Sequence, residues 1–478
     1  MSLKMPDIDA GTVARRAEII AAMRDILPDA AVITEEDRLR VYESDGLTAY
    51  RQLPLIVVLP ETTEQVARIM RYCSDHKVRI VPRGAGTGLS GGALPLADAI
   101  TIGLGKFKRI VDIDLPNRAV RAQAGVTNLA ITKAVEHAGF YYAPDPSSQI
   151  ACTIGGNVAE NSGGVHCLKY GVTTNNVLGI EFVTLEGEVL QLGGKHLDTP
   201  PYDLMGLITG SEGLLGIIPE VTVRVLRKPA VARAVLLGFA TVEAAGACVG
   251  RVIAEGIIPG GMEMMDKPAI HAVEDFVHAG YPLDVEALVI VELDGPNVEV
   301  DELIAQVSLI ATEEGATYSR VSESEQERLR FWAGRKNAFP AMGKLSPDYY
   351  CMDGTIPRKA LSQVLVRIRD LGVKHGLGVA NVFHAGDGNL HPLIMYDANK
   401  PGELARAEAF QRKAEHPRQR HQGILAQPVQ EGVNILLRRG AKPGGARFHL
   451  ARLIGRACRF RQPRQLACGV SQLCSFLP

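Results

Sequence analysis

Apolar residues in the first part of the chain fall into short runs that alternate with a helical pattern. The run LPLIVVLP, at 53–60, predicts a buried strand that its final proline ends. In the next segment, 62–76, the apolar residues have helical spacing, and Thr62 and Gln65 stand at the spacing of a capping box. The run VRIVP at 78–82 predicts a second strand. Together these segments predict a βαβ unit.

The pattern from there to residue 229 alternates strands with two polar, glycine-rich segments. An amphipathic helix is also predicted near the N-terminus, at 12–26. The segment 177–193 predicts a hairpin that turns at Glu186 and Gly187. The other elements predicted in this region are strands at 99–104, 109–114, 118–125 and 213–226, and a helix over about 128–138.

A different order of elements begins near residue 232. Strands and helices follow one another as β-α-β-β-α-β as far as residue 322, which is the ferredoxin-like pattern. The elements predicted after it are a helix at 324–339, a strand at 348–353, a helix at 357–374, a hairpin at 381–392 and a helix from about 401. The fold class predicted is therefore α+β, with a first domain of two α+β subdomains and a ferredoxin-like cap. The division predicted is 1–49 as an N-terminal helical segment, 50–229 as the first domain, 230–413 as the cap and 414–478 as a tail.

Composition and charge narrow the class of protein. The chain of 478 residues is 46% hydrophobic and has a net charge of −1, which gives no reason to expect nucleic acid as a partner. The eight cysteines are scattered without a C-x-x-C pair, which favours a reducing compartment. Neither a signal peptide nor a membrane span is visible. We therefore expect a cytoplasmic protein with at most peripheral contact with a membrane through its partners.

The tail has a different composition from the rest of the chain. Residues 415–478 contain eleven Lys and Arg against two acids, Glu415 and Glu431, whereas the preceding 414 residues have a net charge of −10. Two explanations remain open for this change within a domain. An out-of-frame reading is the favoured one, and a divergent basic tail that binds a partner is the alternative. In either case we expect the tail to be poorly ordered.

The glycine-rich stretch GTGLSG, at 86–91, matches the dinucleotide-binding pattern G-x-G-x-x-G in letters only. Asp112 even stands where a ribose-binding acid would be. However, Pro95 and the strand predicted at 99–104 leave no room for the helix that such a loop must open. No G-K-[ST] follows either, which excludes a nucleotide-triphosphate P-loop. A NAD-dependent Rossmann enzyme is therefore the least favoured of the three hypotheses for the function.

The glycines of this loop predict an anion-binding site formed by backbone N–H groups. Five glycines within nine residues, in 84–92, let consecutive N–H groups line a concave surface, although a mobile surface loop would look the same. The second segment, 153–164, is rich in Gly, Asn, Thr and Ser but lies between apolar strands, so its polar groups need partners. Two such segments in one domain suit a long ligand with a diphosphate at one end and a ring at the other.

Four motifs in order carry a resemblance to a known family. PRGAGTGLSGG, TIGGNVAENSGG, KYGVTTNNVLGIEFV and TGSEGLLGII resemble the FAD-binding domain of the vanillyl-alcohol oxidase / PCMH superfamily, in the branch of glycolate oxidase D subunits and of D-lactate and D-2-hydroxyglutarate dehydrogenases. The resemblance extends from about Glu35 to about Lys413 and implies non-covalent FAD. It implies phosphate contacts from Arg83, Gly84, Gly86, Thr87, Gly88, Leu89, Ser90 and Gly91, flavin and ribose contacts from Pro144, Thr153, Gly156, Ser162 and Gly163, and adenine-side contacts from Ile217 and Ile218.

The stretch NVFHAGDGNLHP, at 381–392, contains two histidines that a hairpin would bring together. Cross-strand neighbours on one face have Cβ atoms ~5 Å apart, which suits two imidazoles on one Zn²⁺. Spacing alone favours two ordinary hydrogen-bonded histidines. The resemblance implies instead that His384 and His391 ligate a divalent metal, with zinc first and Mn²⁺ or Fe²⁺ still open, and that Asn389 lines the same pocket.

The resemblance also implies the substrate and the reaction. Arg335 resembles the family's substrate-carboxylate arginine, although a surface helix charge is the plain alternative. The implied reaction is FAD-dependent oxidation of a small 2-hydroxy acid, glycolate first and D-lactate second. Electrons would leave through a partner iron–sulfur subunit, in a complex with a second flavin-domain subunit, because this chain has no clustered cysteines of its own.

One motif of the family is missing. Its third metal ligand and its base come from a stretch that reads roughly S-G-E-H-G, and no such stretch follows Asn389; the nearest string is AEHPRQRHQG, which contains Glu415 and His416. We therefore expect the chain as written to be severely impaired in 2-hydroxy-acid oxidation. A non-catalytic FAD-binding subunit of the same complex is the alternative function.

Overall fold

The computed structural model describes residues 5–195 and 202–414, so the predicted basic tail, with Glu415 and His416, lies outside the described residues. The first part has these helices and strands, in order within each class: α1 (Ala10–Ala14), α2 (Arg16–Arg24), α3 (Glu36–Leu39), α4 (Thr63–His76), α5 (Asn128–Val135), α6 (Ile154–Glu160), α7 (Cys167–Tyr170) and α8 (Leu204–Ile208); β1 (Val32–Ile33), β2 (Ile56–Val58), β3 (Arg79–Arg83), β4 (Ala99–Gly103), β5 (Ile110–Asp114), β6 (Ala119–Gln123), β7 (Phe140–Tyr141), β8 (Val177–Thr184), β9 (Val189–Gly193), β10 (Gly216–Arg224) and β11 (Leu226–Arg227).

The first sheet has the strand order β1-β2-β4-β3 and carries the predicted βαβ unit. β2 and β3 both run parallel to β4, which lies between them, so the two strands of the unit are not direct neighbours. At the start of α4 the Thr62 hydroxyl accepts a hydrogen bond from the Gln65 N–H at 3.2 Å. The Gln65 side chain reaches back to the N–H of Glu61 at 2.7 Å, one residue before the position that a capping box uses. The helix therefore begins where the sequence predicts.

The second sheet has the strand order β5-β6-β10-β8-β9 and is antiparallel. Its β8–β9 hairpin turns at Gly187, whose φ of +76° confirms the predicted turn. The sequence did not predict α6, because two glycines in seven residues disfavour a helix. Gly155 is required there, since a Cβ atom would lie 2.6 Å from the Cβ of Ala124. The helix predicted at 12–26 is broken into α1 and α2 at Arg15.

The cap contains the following elements: α9 (Val242–Ala254), α10 (Lys267–Val277), α11 (Asn297–Glu313), α12 (Glu325–Lys336), α13 (Ala338–Ala341), α14 (Leu361–His375) and α15 (Glu403–Ala414); β12 (Val231–Phe239), β13 (Gly261–Asp266), β14 (Ala287–Gly295), β15 (Ala316–Val321), β16 (Asp348–Cys351), β17 (Gly354–Thr355), β18 (Val379–His384) and β19 (Asn389–Tyr396). Strands β15-β12-β14-β13 have the ferredoxin-like order and are antiparallel. The predicted cap is confirmed, with α10 added between β13 and β14. β18, β19 and β16 extend the same sheet, and β17 pairs with β19.

This sheet separates two apolar cores. On β12, Val235, Leu237 and Phe239 face the core covered by α9, α11 and α14, whereas Ala234 and Leu236 face the core covered by α10 and α12. Each fully buried Val or Leu side chain contributes about 1.5–3 kcal/mol. Because helices cover both faces, the central strands read as continuous apolar runs rather than as alternating ones.

Ion pairs and close backbone contacts join the first part to the cap. Lys169 pairs with Asp294 of β14 at 2.6 Å, and His166 pairs with Glu292 of the same strand at 2.9 Å. A Cβ atom on Gly386 of the cap would lie 2.5 Å from the side chain of Leu168. The segment that follows α6 is therefore held against the cap. Among the described residues, no helix is long and apolar enough to cross a membrane.

Candidate functional site

The first glycine-rich loop leaves the carboxyl end of β3 and leads into β4 without a helix. The expectation that this loop is not a dinucleotide fingerprint is therefore confirmed, because the loop itself opens no helix. Asp112, the candidate ribose acid, lies on β5 and pairs with Lys195 at 2.6 Å, with 45% of its side chain exposed. It forms a surface ion pair in the second sheet.

The two glycine-rich segments contact each other. A Cβ atom on Gly84 would lie 2.5 Å from the Thr153 hydroxyl, at the N-cap of α6. On the other side of the loop, a Cβ atom on Gly46 would lie 2.6 Å from the carbonyl oxygen of Gly88. Gly86, with a φ of +71°, adopts a conformation that L residues with side chains rarely reach. The loop is thus wedged between two other segments and has a defined shape.

The side chain of Arg83 packs against the loop and is hydrogen-bonded to the residues on either side of it. It is 9% exposed, and its Nη1 donates to the carbonyl of Ala93 at 3.2 Å and to that of Tyr42 at 3.4 Å. Burial lowers the pKa of its guanidinium, against the opposing effect of the neighbouring Asp45. Its Nη2 would lie 2.5 Å from a Cβ atom on Gly86. Arg83 therefore places its charge directly under the turn, where a bound anion would meet the loop.

The other predicted FAD contacts lie in three places. The side chain of Leu89 packs against the cap core that contains Trp332, so the loop also meets the cap. Ile217 and Ile218 are buried in two different cores of the first part, on opposite faces of β10. Four of the remaining predicted residues are partly exposed along the loop, namely Thr87, Gly88, Ser90 and Gly91, and four lie in α6 or directly before or after it, namely Thr153, Gly156, Ser162 and Gly163. Pro144 is linked to α6 through Asn128, whose side-chain amide donates to the Pro144 carbonyl at 2.9 Å and to Asn157 of α6 at 3.0 Å.

Two carboxyl groups that the sequence did not reveal as a pair converge beside the loop. A Cβ atom on Gly92 would lie 2.8 Å from Oε1 of Glu160 and 3.7 Å from Oε2 of Glu212. Burial raises the pKa of Glu160 to about 7, with further increases from Asp45 and from Asp353 of the cap. Burial also raises the pKa of Glu212 to about 8, reinforced by Glu160. A carboxyl group that is protonated at either position would not repel a diphosphate bound to the loop.

The predicted hairpin in the cap is β18–β19, and its register relates the two histidines. His384 pairs with Asn389, and Val382 pairs with His391. The histidines are therefore diagonal rather than direct cross-strand neighbours, with ring centroids 5.2 Å apart and planes at 85°. The predicted hairpin and the expectation that both histidines lie on one face are confirmed, and the four-residue turn places them two positions apart in the pairing.

Arg335 is fully buried and does not lie on the surface of its helix. Its guanidinium, 1% exposed, donates from Nε to Oε2 of Glu263 at 2.8 Å, and Nη2 lies 2.7 Å from the same oxygen. Oε1 of Glu263 accepts from Nδ1 of His384 at 2.8 Å. Nη1 of Arg335 has no hydrogen-bond partner in the part of the chain that the structure describes. The interpretation of Arg335 as a surface charge is therefore wrong, and one face of a buried cation is left for an anion.

The two imidazoles have different electrostatic environments. Burial lowers the pKa of His384, but the Glu263 carboxylate outweighs burial and raises it overall. For His391, burial dominates and lowers the pKa to about 4, so the ring is neutral at neutral pH. Nδ1 of His391 is buried and has no hydrogen-bond partner among residues 5–195 and 202–414. A neutral imidazole with an orphaned nitrogen fits a metal ligand.

The described residues supply two donors for a metal rather than three. Within them, no group of three His, Cys, Asp or Glu is arranged to hold an ion. Asp353 lies 3.7 Å from Nδ1 of His391, but its carboxylate accepts from Asn389 at 2.8 Å and is 44% exposed. Glu415 and His416, the nearest string to the missing motif, lie outside the described residues. His384 and His391 therefore supply two of the protein ligands that a metal site needs.

Sequence reasoning missed Glu263, which stands between Arg335 and His384. The only signal was a charged residue in the apolar strand GGMEMM, and a lone charge of this kind is usually exposed. Here it is 1% exposed, because it pairs with charges from α12 and β18. Its partners are distant in sequence, so only the fold brings the three residues together.

Comparisons with known proteins place the chain in a family. The FAD binding domain family matches residues 54–193, and the family of FAD linked oxidases, C-terminal domain, matches residues 228–425. The chain is 56% identical over 404 residues to the glycolate oxidase subunit GlcD of Escherichia coli K12, with 84% of this chain and 80% of that protein covered. It is 30% identical over 401 residues to a D-lactate dehydrogenase of Anaerostipes hadrus, with 82% and 84% covered.

Solved structures show the same fold at low identity. The structure of p-cresol methylhydroxylase with substrate bound superposes with a TM-score of 0.75 at 16% identity, with 95% of each chain covered. At this identity the likeness concerns the fold alone. It shows that the order and packing of the sheets described above form a known fold.

Proposed function

We propose that this chain, which belongs to the family of FAD-linked oxidases and is an FAD-dependent oxidoreductase, oxidises a small 2-hydroxy acid to the 2-oxo acid. Glycolate is the first candidate substrate and D-lactate the second, as the names of the relatives suggest. The observation that carries the proposal is the buried Arg335, which keeps Nη1 without a partner among the described residues beside two histidines. A planar guanidinium in such a pocket suits a carboxylate.

The residues of the first part fit FAD. Arg83, Gly84, Gly86, Thr87, Gly88, Leu89, Ser90 and Gly91 would hold the diphosphate, Pro144, Thr153, Gly156, Ser162 and Gly163 the flavin and ribose, and Ile217 and Ile218 the strand beneath the adenine side. FAD, when bound, supplies a two-electron acceptor. The close contacts of Gly84 with Thr153 and of Gly86 with Arg83 support this assignment, because a Cβ atom at either glycine would collide with these residues and change the shape of the loop.

The residues of the cap bind and orient the substrate. Arg335 receives the carboxylate, and His384 and His391, with Asn389 on the same pair of strands, face the 2-hydroxyl group. A divalent metal held by the two imidazoles, with zinc as the first candidate, would lower the pKa of that hydroxyl. Phe339 packs edge-on against His391, with centroids 6.0 Å apart, and helps to exclude water. In this proposal electrons pass to an iron–sulfur partner in a complex at a cytoplasmic location.

The domain division follows the same assignment. Residues 50–229 would be the FAD-binding domain and 230–413 the substrate and metal domain, preceded by the segment 1–49 and followed by the tail 414–478. Separate sheets before and after residue 229 support the main boundary.

The test of the proposal is anaerobic mixing of FAD-loaded protein with glycolate, D-lactate and other 2-hydroxy acids while the flavin absorption band is followed. Because the Glu-His motif is missing, we expect slow bleaching by at least one 2-hydroxy acid, and none by ethylene glycol, which has no carboxylate. An Arg330→Met variant is the matched control for Arg335→Met, because Arg330 lies on the same helix with 49% of its side chain exposed. Bleaching should survive the control change and disappear in Arg335→Met.

A second candidate function is a non-catalytic FAD-binding subunit, which the missing Glu-His motif favours. The base that this motif supplies is worth ~10²–10⁴ in rate. Replacing the segment after Lys413 with the corresponding C-terminal segment of the Escherichia coli relative should then raise turnover by that factor. Equal turnover of the two proteins would mean that another residue completes the site. Absence of flavin reduction in both would contradict 2-hydroxy-acid oxidation itself.

A further inference from the structure

Glu263 contacts two functional groups that come from different elements. Its Oε2 accepts from Nε of Arg335 on α12 at 2.8 Å, and its Oε1 accepts from Nδ1 of His384 on β18 at 2.8 Å. The carboxylate is 1% exposed, so neither contact competes with bulk water. Each carboxylate oxygen of Glu263 therefore accepts from a different functional side chain.

The contact with His384 determines which ring nitrogen carries the proton. A carboxylate is only an acceptor, so Nδ1 must be the donor. In the neutral ring the lone pair is then on Nε2, the nitrogen that faces away from Glu263. A carboxylate in this position behind a histidine is a general device for aiming the other nitrogen at a metal.

We propose that Glu263 is a positioning residue that serves both halves of the substrate pocket. It fixes the Nδ1–H tautomer of His384 and holds Arg335 by one edge, which leaves Nη1 for the substrate. This inference rests on the proposed function for the roles of Arg335 and His384, but the tautomer of His384 can be measured without it. A divalent cation, zinc first, is the ligand that the aimed nitrogen would take.

The sheet makes this arrangement rigid. On neighbouring strands Met264 pairs with Phe383 and Met265 with Val382, which brings Glu263 opposite His384. The N–H of Gly386 donates to the carbonyl of Met262 at 3.0 Å and continues the pairing beyond the end of β18. The backbone therefore sets the distance between the carboxylate and the imidazole before any ligand binds.

The variant Glu263→Gln tests the proposal because an amide has only one acceptor atom. Arg335 is only a donor, so the amide oxygen must face it and the NH₂ group must face His384. His384 then has to accept at Nδ1, and its proton moves to Nε2. Shape and volume are nearly unchanged, so a change of tautomer can be separated from a loss of packing.

A matched control is Glu292→Gln. Glu292 is also a buried carboxylate of the same sheet that contacts a histidine and an arginine, His166 and Arg328, but it touches neither Arg335 nor His384. The readout is nitrogen-15 NMR of histidine-labelled, metal-free protein at alkaline pH, with the His384 signal identified by its absence in His384→Ala. A titration with Zn²⁺ alone is the second readout.

We expect the Nδ1–H form of His384 in the wild type and in Glu292→Gln, and the Nε2–H form in Glu263→Gln. We also expect affinity for Zn²⁺ to fall ~10–100-fold in Glu263→Gln only. The proposal is overturned if Glu263→Gln keeps the Nδ1–H form, if the wild type lacks it, or if the control variant changes in the same way. A wild type that binds no Zn²⁺ contradicts the proposed metal site, while the NMR result still decides the role of Glu263.

Discussion

The glycine-rich loop of the first part and the histidine hairpin of the cap are built in opposite ways. In the loop, the proposed phosphate contacts come largely from glycine backbone, and the residues concerned follow one another from Arg83 to Gly92. In the cap, side chains form the pocket, and they come from β13, α12, β18 and β19. A backbone site depends on the absence of side chains, whereas a side-chain site depends on a network of buried charges. The two should therefore respond differently to substitution.

The largest expected effect concerns the buried ion pair of the cap. Arg335→Met leaves Glu263 without its cation, and loss of one partner of a buried pair costs about 3–5 kcal/mol. Urea unfolding of the FAD-free protein should show this loss. Replacing both Arg335 and Glu263 with methionine should recover most of the stability, while flavin reduction by 2-hydroxy acids stays absent. An unchanged unfolding midpoint in the single variant would mean that water reaches the pair.

In the loop, Gly86→Val should remove FAD and leave the cap intact. The φ of +71° and the Arg83 guanidinium 2.5 Å from the new Cβ atom disfavour any side chain there, and such backbone strain costs about 1–3 kcal/mol. The measurement is the FAD-to-protein ratio after reconstitution. Gly105→Val is the control, since nothing lies within 4 Å of a Cβ atom at that position. Full FAD content in Gly86→Val would place the diphosphate elsewhere.

His391→Ala tests whether the cap binds its metal independently of FAD binding in the first part. We expect metal content by elemental analysis to fall ~10-fold or more, with the FAD content unchanged, because the ring lies in the cap hairpin. His271→Ala is the comparison, since that histidine is exposed on α10. If the metal-to-protein ratio is the same in all three proteins, His384 and His391 are structural residues.

The smallest effect expected is a pH dependence of the loop region. Glu160 and Glu212 have pKa values raised to about 7 and about 8, so they bind protons more tightly when folded. Their contribution to stability is present below pH ~4.5, the value of an unfolded glutamate, and is lost as pH rises through ~7 to ~8. Between pH ~6 and ~9 the FAD-free wild type should lose on the order of 1 kcal/mol more than Glu160→Gln. The exposed Glu64→Gln should behave like the wild type.

Much of the fold could be predicted because local patterns agree with it. The capping residues of α4, the turn at Gly187 and the succession of helices and strands in the cap are consequences of residues close together in the chain. The pairing of the cap strands is not local, since Val235 of β12 pairs with Val321 of β15. The glycine-rich loop belongs to the same class, since a contiguous backbone site leaves a contiguous pattern. The resemblance to FAD-linked oxidases depends on such contiguous motifs and is confirmed by the comparisons.

The chain by itself therefore determined most of the elements, the family and the position of the glycine-rich loop after β3. Only the tertiary structure decided that Arg335 is buried, that Glu263 lies between it and His384, and that Glu160 and Glu212 meet beside Gly92. The physical reason is the separation along the chain of the residues that interact. Propensity, turns and caps act over a few residues, whereas Glu263 contacts Arg335 and His384 across 72 and 121 residues of the chain and meets them only when the sheet and its helices pack.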